Sequence, residues 1–232
     1  MTRRIALLLF LMTTLTLTAP LLPAQSRQTW VLAQYAADLA VARQEIRARM
    51  ANNYVPMGME VDESLGISIL YVDAPVAARI GIRGNDVRLR RFAGDDAEAL
   101  EAGVNSLLSD GWFPVDISRT EGFYYVLAIN SGWRVEQWRF AYDMFTSARM
   151  QAAIELFQED GFELAGLGLY EGVQAWYLFV QSSDWQPRQI YFTSYLNEND
   201  ALIAGFNEDM AEGWIPVGFA VGTTAITVFY VR

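Results

Sequence analysis

Three of the pairs of adjacent acids and one crowd of arginines are the groups in this chain whose type and spacing could do chemistry. Asp95-Asp96, Glu159-Asp160 and Glu208-Asp209 supply the residue type that general acid–base work on a glycosidic bond requires, a proton donor near a carboxylate. Catalytic carboxylates must converge on a substrate from separate elements. Asp95-Asp96 instead falls where a helix N-cap belongs, and the other two pairs fall near the end of a helix on its solvent side. Arg79, Arg83, Arg88, Arg90 and Arg91 crowd one stretch of an otherwise acidic chain. Arg88 and Arg90 alternate with Val87 and Leu89, which places the two arginines on one face of a strand. Guanidinium forks at Arg79, Arg83, Arg88 and Arg90 would suit an anionic ligand. The favoured reading is ion pairing with acidic helices, or protection of an edge strand.

The absences narrow the chemistry further. The 232 residues contain no His, no Cys and no Lys. This removes thiol nucleophiles, Ser–His triads, Lys Schiff bases, the phosphate-loop lysine and thiolate or imidazole metal sites. No catalytic residue, metal site or cofactor is therefore expected. Disulfides are excluded as well, so stability must come from packing. Seven tryptophans and eleven tyrosines are on hand for that.

The elements that would position these groups form a repeat. The corners Asn53-Tyr54-Val55-Pro56-Met57-Gly58, Gly111-Trp112-Phe113-Pro114-Val115-Asp116, Gly161-Phe162-Glu163-Leu164-Ala165-Gly166 and Gly213-Trp214-Ile215-Pro216-Val217-Gly218 place their aromatics 58, 50 and 52 residues apart. Such a period marks one supersecondary unit copied in tandem. Each unit reads strand, helix, strand, strand. A Gly stops the helix. Tyr54, Trp112, Phe162 or Trp214 plugs the wedge between helix end and sheet, and Pro56, Pro114 and Pro216 demand an edge position. With Leu164 in place of Pro, the third corner is expected to pair differently. Asp95 or Asp96 caps the second helix, and Asn199 or Asp200 the fourth. Arg79 to Arg83 reads as an added hairpin strand that turns at Gly84-Asn85-Asp86.

Several strands are apolar on both faces, such as Tyr124-Tyr125-Val126-Leu127 and Trp176-Tyr177-Leu178-Phe179. Helices on one side cover only one face, so a second cover is required. Trp30, Trp133, Trp138, Trp176 and Trp185 add to the apolar surplus. The expected fold is α+β: one domain of four β-α-β-β repeats, about 28–73, 78–130, 133–181 and 185–232, forming one curled sheet or barrel-like array with helices on the outer face.

Residues 1–24 have the pattern of an export signal. Arg3 and Arg4 precede the apolar run Ile5 to Met12, and Leu22-Pro23-Ala24 offers small-residue cleavage. The expected chain is then residues 25–232, with a net charge of −12 once Arg3 and Arg4 are gone. That charge repels nucleic acid and anionic membrane surfaces.

Asp110-Gly111-Trp112, Asp160-Gly161-Phe162, Glu212-Gly213-Trp214 and the closing Phe229-Tyr230-Val231-Arg232 resemble small bacterial strand–helix–strand–strand domains of unknown function. They also resemble bacterial tandem-repeat modules with a Gly-Trp/Tyr-x-Pro corner. The resemblance implies a bacterial protein and no catalytic residue, and the export signal implies a periplasmic or secreted location. The expected function is an exported, non-enzymatic scaffold for an unknown protein or small ligand, with no nucleic-acid partner and no membrane partner after signal cleavage. A carboxylate-dependent glycan hydrolase and an envelope-assembly subunit are the alternatives. A cleft holding two carboxylates from different repeats, with one in an apolar pocket, would favour the hydrolase.

Overall fold

The computed structural model describes residues 29–62, 64–94, 96–144, 146–170, 174–184, 189–222 and 224–232. The proposed export signal and Trp185 lie outside them. Unit one comprises β1 (Trp30–Tyr35), α1 (Leu39–Ala51), β2 (Tyr54–Asp62) and β3 (Gly66–Asp73). A short helix, α2 (Ala74–Ala77), leads on to unit two: β4 (Val87–Ala93), α3 (Ala97–Ser109), β5 (Phe113–Arg119) and β6 (Phe123–Ile129). Unit three is β7 (Gln137–Met144), α4 (Ser147–Glu159), β8 (Glu163–Tyr170) and β9 (Gln174–Gln181). Unit four is β10 (Ile190–Leu196), α5 (Asn199–Ala211), β11 (Ile215–Val221) and β12 (Ala225–Val231).

Local chemistry explains the helix ends. Gly111, Gly161 and Gly213 have φ of 79°, 80° and 96°, and Asn53 has φ of 63°; Gly and Asn tolerate this left-handed region best. At Gly111 the chain closes a Schellman motif: Gly111 N–H donates to Leu108 O and Trp112 N–H to Leu107 O, both at 2.9 Å. The hydrophobic contact that accompanies such a motif is the reason an aromatic follows the glycine. Phe162 N–H repeats the bond to Phe157 O, and Trp214 N–H to Asp209 O. At the helix starts, Asp38, Asp96 and Thr146 accept backbone N–H bonds from their own first turns. The fourth cap differs from expectation. Asn199 opens helix α5, and the cap position is Glu198, which makes no side-chain cap bond.

The corner strands bulge at one place in all four units. Register shifts between Pro56 and Gly58, Pro114 and Asp116, Leu164 and Gly166, and Pro216 and Gly218. The third corner therefore pairs like the others despite Leu164, so the bulge and not the proline sets the geometry. Residues 79–83 are not a hairpin strand. Pro75 sits in the first turn of α2, a one-turn 3-10 helix (Ala78–Ile80) follows, and Gly81 ends it in the left-handed region.

The larger correction concerns the sheet. It is not one curled sheet but four three-stranded antiparallel sheets, ordered β1-β3-β2, β4-β6-β5, β7-β9-β8 and β10-β12-β11. The corner strand is an edge strand in each, as the prolines require. The four corner strands then pack side by side in a closed circuit, β2 on β5, β5 on β8, β8 on β11 and β11 on β2. They approach so closely that a Cβ on Gly166 would lie 2.6 Å from the Asp116 Cα.

The helices also reach beyond their own sheets. Helices α1, α3 and α5 each meet the next unit through the ninth residue. In α1, Arg47 Nε donates to Asp86 Oδ1 at 2.7 Å and reaches the Val87 carbonyl of β4. In α3, Asn105 Oδ1 accepts from Trp138 Nε1 of β7 at 2.8 Å. In α5, Asn207 Oδ1 accepts from Trp30 Nε1 of β1 at 3.0 Å, and Phe206 stacks on the same indole at 4.4 Å. Val87, Trp138 and Trp30 occupy the same register position in their sheets, opposite Ile129, Val180 and Val72. In units one, two and three the helix of the preceding unit therefore contributes to the second cover, and the contact of α5 with β1 closes the ring.

The corner aromatics are unequal. Trp112 and Phe162 are buried, whereas Tyr54 and Trp214 are half-buried. Trp112→Ala is expected to cost about 3–5 kcal/mol, the range for deleting a buried aromatic. Trp214→Ala is expected to cost roughly half that, since less area leaves water. Denaturant unfolding of both variants checks the order, and an equal loss would mean that burial does not set the cost.

Candidate functional site

Three places gather polar chemistry: the centre of the ring, the arginine stretch, and a cleft between the second and third units. At the centre, the corner strands turn their unpaired edges toward one another, and a buried edge amide needs an acceptor. Side chains provide it. Asp116 holds the position that Gly58, Gly166 and Gly218 hold in the other units. It is fully buried. Its Oδ2 accepts from Met59 N–H at 2.6 Å, and its Oδ1 accepts from Ile117 N–H at 2.8 Å and Leu167 N–H at 2.9 Å. One carboxylate thus joins three units. Two residues on, Ser118 Oγ accepts from Val61 N–H at 3.0 Å, and Glu60 accepts from the Leu169 backbone.

Glu60 and Asp116 are two carboxyls from different units, a convergence the hydrolase alternative asks for. Their surroundings argue against that use. Asp116 has no exposure, and its oxygens are spent on backbone amides. Part of Glu60 reaches the surface, but its Oε2 is buried with no hydrogen-bond partner among the described residues. Burial pushes the Glu60 carboxyl well above the usual carboxylate range, and the nearby Asp116 and Asp62 push the same way. Burial also pushes Asp116 up, against the pull of its three N–H donors. Three donors against one make Asp116 the better holder of the negative charge and Glu60 the better holder of a proton.

The adjacent acid pairs are accounted for locally. Asp96 is the α3 cap, accepting from Ala99 N–H at 2.7 Å, and Asp95 lies outside the described residues. Glu159, Asp160 and Glu208 are exposed. Asp209 departs from expectation: it turns inward, where the Tyr195 hydroxyl donates to it.

The arginines do not gather around one point. Arg88 lies over the Trp112 ring at 4.7 Å, and its charge helps lower the Asp86 carboxyl below the usual range, after the direct bond from Arg47. Arg90 is exposed, and Arg91 lies over the Phe123 ring at 4.4 Å. Arg79 reaches toward Gly213 of the fourth unit, and Arg83 borders a shallow hollow with Gly84, Asn85 and Asn130. Stacking on the corner aromatic recurs, with Arg139 over Phe162 at 5.4 Å and Arg232 over Trp214 at 4.3 Å. A cation over a ring adds on the order of 0.5–2 kcal/mol, and it keeps the corner covered where the helix has ended. Nothing in the spacing of the arginines alone announced these pairings; the aromatic columns held the signal.

The cleft has a volume of about 1050 Å³ and lies between α3 and the chain entering β7. Glu101, Asn105 and Ser109 line it from one face of α3, and Trp133, Gln137 and Trp138 from the other side. Sequence reasoning placed Trp133 and Trp138 in an apolar surplus and did not place them opposite a polar helix face. Among the described residues no group of His, Cys, Asp and Glu could hold a metal ion.

Asp116→Ala and Asp116→Gly would both leave Met59, Ile117 and Leu167 N–H buried without an acceptor. Each orphaned donor costs about 1–3 kcal/mol, so a loss of about 3 kcal/mol or more is expected for either variant. Denaturant unfolding checks this, and tolerance of the glycine would reduce Asp116 to a space-filler. Glu60 gives a second expectation. Folded Glu60 keeps its proton to higher pH than the unfolded chain does, so the folded state binds more protons in that window. Stability should then fall as pH rises from the ordinary Glu value of 4.5 toward the raised one. Glu60→Gln should flatten that slope and gain about 1 kcal/mol or more at pH 8. Melting curves from pH 4 to pH 8 decide, and a slope unchanged in the variant would remove Glu60 as its source.

No family model and no curated protein matches this chain, so the roles given to these residues stand on the four-unit architecture and its geometry.

Proposed function

We propose that this protein is an exported, non-enzymatic binding scaffold of bacterial origin, and that it holds its ligand in the cleft between the second and third units. The observation that carries this reading is the separation of the two polar regions. The carboxyls that converge do so at the ring centre, with Asp116 out of reach of solvent and engaged by amides. The accessible cleft presents side chains that hold a ligand and no activated nucleophile. Ligand sites favour such concavities with a few convergent polar groups. The export signal, the net charge and the resemblance of the Gly-Trp corners to bacterial repeat modules support a periplasmic or secreted location. The arginine stretch supports anion binding less well, because Arg88 and Arg91 are stacked on rings and Arg79 and Arg83 lie apart.

The envelope-assembly reading has one observation of its own. Leu65, Tyr142, Met144 and Leu196 are between 55% and 64% exposed, and the strand pairing places all four toward the hairpin-turn end of their sheets. Exposed apolar side chains gathered at one end suit a protein partner.

The chain has no cysteine, which permits a clean test. Ser109→Cys places a single thiol in the cleft, and Val41→Cys places one on an exposed helix position. Each is labelled with an environment-sensitive fluorophore and titrated with a fractionated extract of cell-envelope glycans and peptides. A response at residue 109 and none at residue 41 is expected. Turnover of chromogenic glycosides that disappears in Glu60→Gln would overturn the reading in favour of the hydrolase.

A further inference from the structure

The cleft's two walls differ in a way that specifies ligand chemistry. One wall is helical. Glu101, Asn105 and Ser109 recur every four residues along α3, so they share one face, and all three are exposed. Asn105 uses its side-chain oxygen on Trp138, which leaves its two N–H donors for a ligand. The other wall is aromatic. Trp138 and Phe140 alternate along β7 and so lie on one face roughly 7 Å apart, and both line the cleft, as does Trp133. Tyr142, next on the same face, stacks on Trp176 at 4.8 Å and is 64% exposed. The aromatic face therefore runs out of the cleft along the strand.

Charge and backbone exclude the obvious alternatives. The cleft holds Glu101, Asp110 and Glu136 against Arg134 and Arg139. Arg139 already covers Phe162 and donates to the Trp138 carbonyl at 3.2 Å. With three carboxylates against two guanidiniums, one of them already engaged, the cleft is net negative and disfavours an anion. A peptide adding as a strand along β7 would meet an edge carbonyl already taken. A purely apolar ligand would strand the carboxylate and amide groups of α3. We propose that the cleft binds a neutral oligosaccharide, with the C–H faces of its rings against Trp133 and Trp138 and its hydroxyls bonded to Glu101, Asn105 and Gln137. Such a ligand is apolar on its ring faces and polar on its rims, which matches one wall to each. Carboxylate and amide groups each offer two hydrogen-bonding atoms to neighbouring hydroxyls.

This inference rests on the cleft being the binding site, and the experiment separates the two claims. The full chain is titrated by calorimetry with hexasaccharides of β-1,4-linked glucose, β-1,4-linked N-acetylglucosamine and α-1,4-linked glucose. A sulfated hexasaccharide and a proline-rich peptide serve as comparisons. At least one neutral hexasaccharide should bind with Kd at or below about 1 mM. The variant carrying Glu101→Gln and Gln137→Ala should bind it roughly 10-fold more weakly, about 1.4 kcal/mol, with an unchanged circular dichroism spectrum and Tm. Both residues are exposed, so folding is spared. Binding by none of the neutral sugars, equal binding by the variant, or tighter binding of the sulfated sugar overturns the proposal. If only the peptide binds and the variant weakens it, the sugar chemistry is wrong and the scaffold reading stands. If a neutral sugar binds and is shortened, the sugar chemistry stands and the non-enzymatic reading fails.

Discussion

Everything in this molecule depends on how four sheet edges are buried against one another. An edge strand carries a row of unpaired N–H and C=O groups, and soluble proteins keep such rows wet or covered. Here β2, β5, β8 and β11 bring their edges to a common buried centre. The amides of Met59, Val61, Leu167 and Leu169 must then find acceptors within the ring. Asp116, Ser118 and Glu60 supply them. A carboxylate serves better than another strand would, because its two oxygens can accept from three directions at once. The glycines at the matching positions are the other half of the solution. With a side chain at Gly166 or Gly168, β8 could not come close enough to β5 for the Asp116 carboxylate to reach it, and one at Gly58 would press on Gly218 and Phe219 of β11.

The closed circuit also answers a problem that no single unit can solve. A three-stranded sheet with one helix buries one face and leaves the other to water. Stacking units lets α1, α3 and α5 each serve two sheets, and closing the stack brings the last unit against the first. An open repeat array needs atypical capping units; this one needs only the contact of α5 with β1. Trp30 and Phe206 provide area there, and Asn207 satisfies the indole N–H that would otherwise be buried unpaired. Asn105 and Trp138 repeat the device. The same Trp–Asn pairing thus occurs at two of the junctions.

Much of the unit was legible from the chain. Helix stops announce themselves because so few residues adopt positive φ, and Gly111, Gly161, Gly213 and Asn53 all do. Edge placement followed from Pro56, Pro114 and Pro216, since a proline withholds a ladder donor. The assembly was not legible. Strands apolar on both faces report that a second cover exists, but a neighbouring helix, a closing sheet and a ligand leave the same mark on composition. The central acid was visible only as an exception, one Asp in a column of three glycines. Its meaning required knowing that the four columns meet in space. Asn105 and Asn207 were readable in the same way, as equal positions in two helices of equal length, with Trp30 and Trp138 at equal strand starts. Position within the repeat carried the signal that residue type by itself did not.

Where the repeats differ is therefore where a role beyond folding belongs. The first junction is drawn tight by Arg47, which reaches both Asp86 and the Val87 carbonyl. The junction between α5 and β1 is filled by Phe206. The junction between α3 and β7 keeps the Trp–Asn latch, but Val104 stands before Asn105 where α5 has Phe206 before Asn207, so less bulk fills the space. The cleft of about 1050 Å³ leaves the aromatic side chains that line it partly uncovered. The neighbouring junctions show that the same fold can fill it. A cost that the repeat elsewhere avoids points to the cleft, and not to the symmetric centre, as the part of the ring shaped for something other than its own stability.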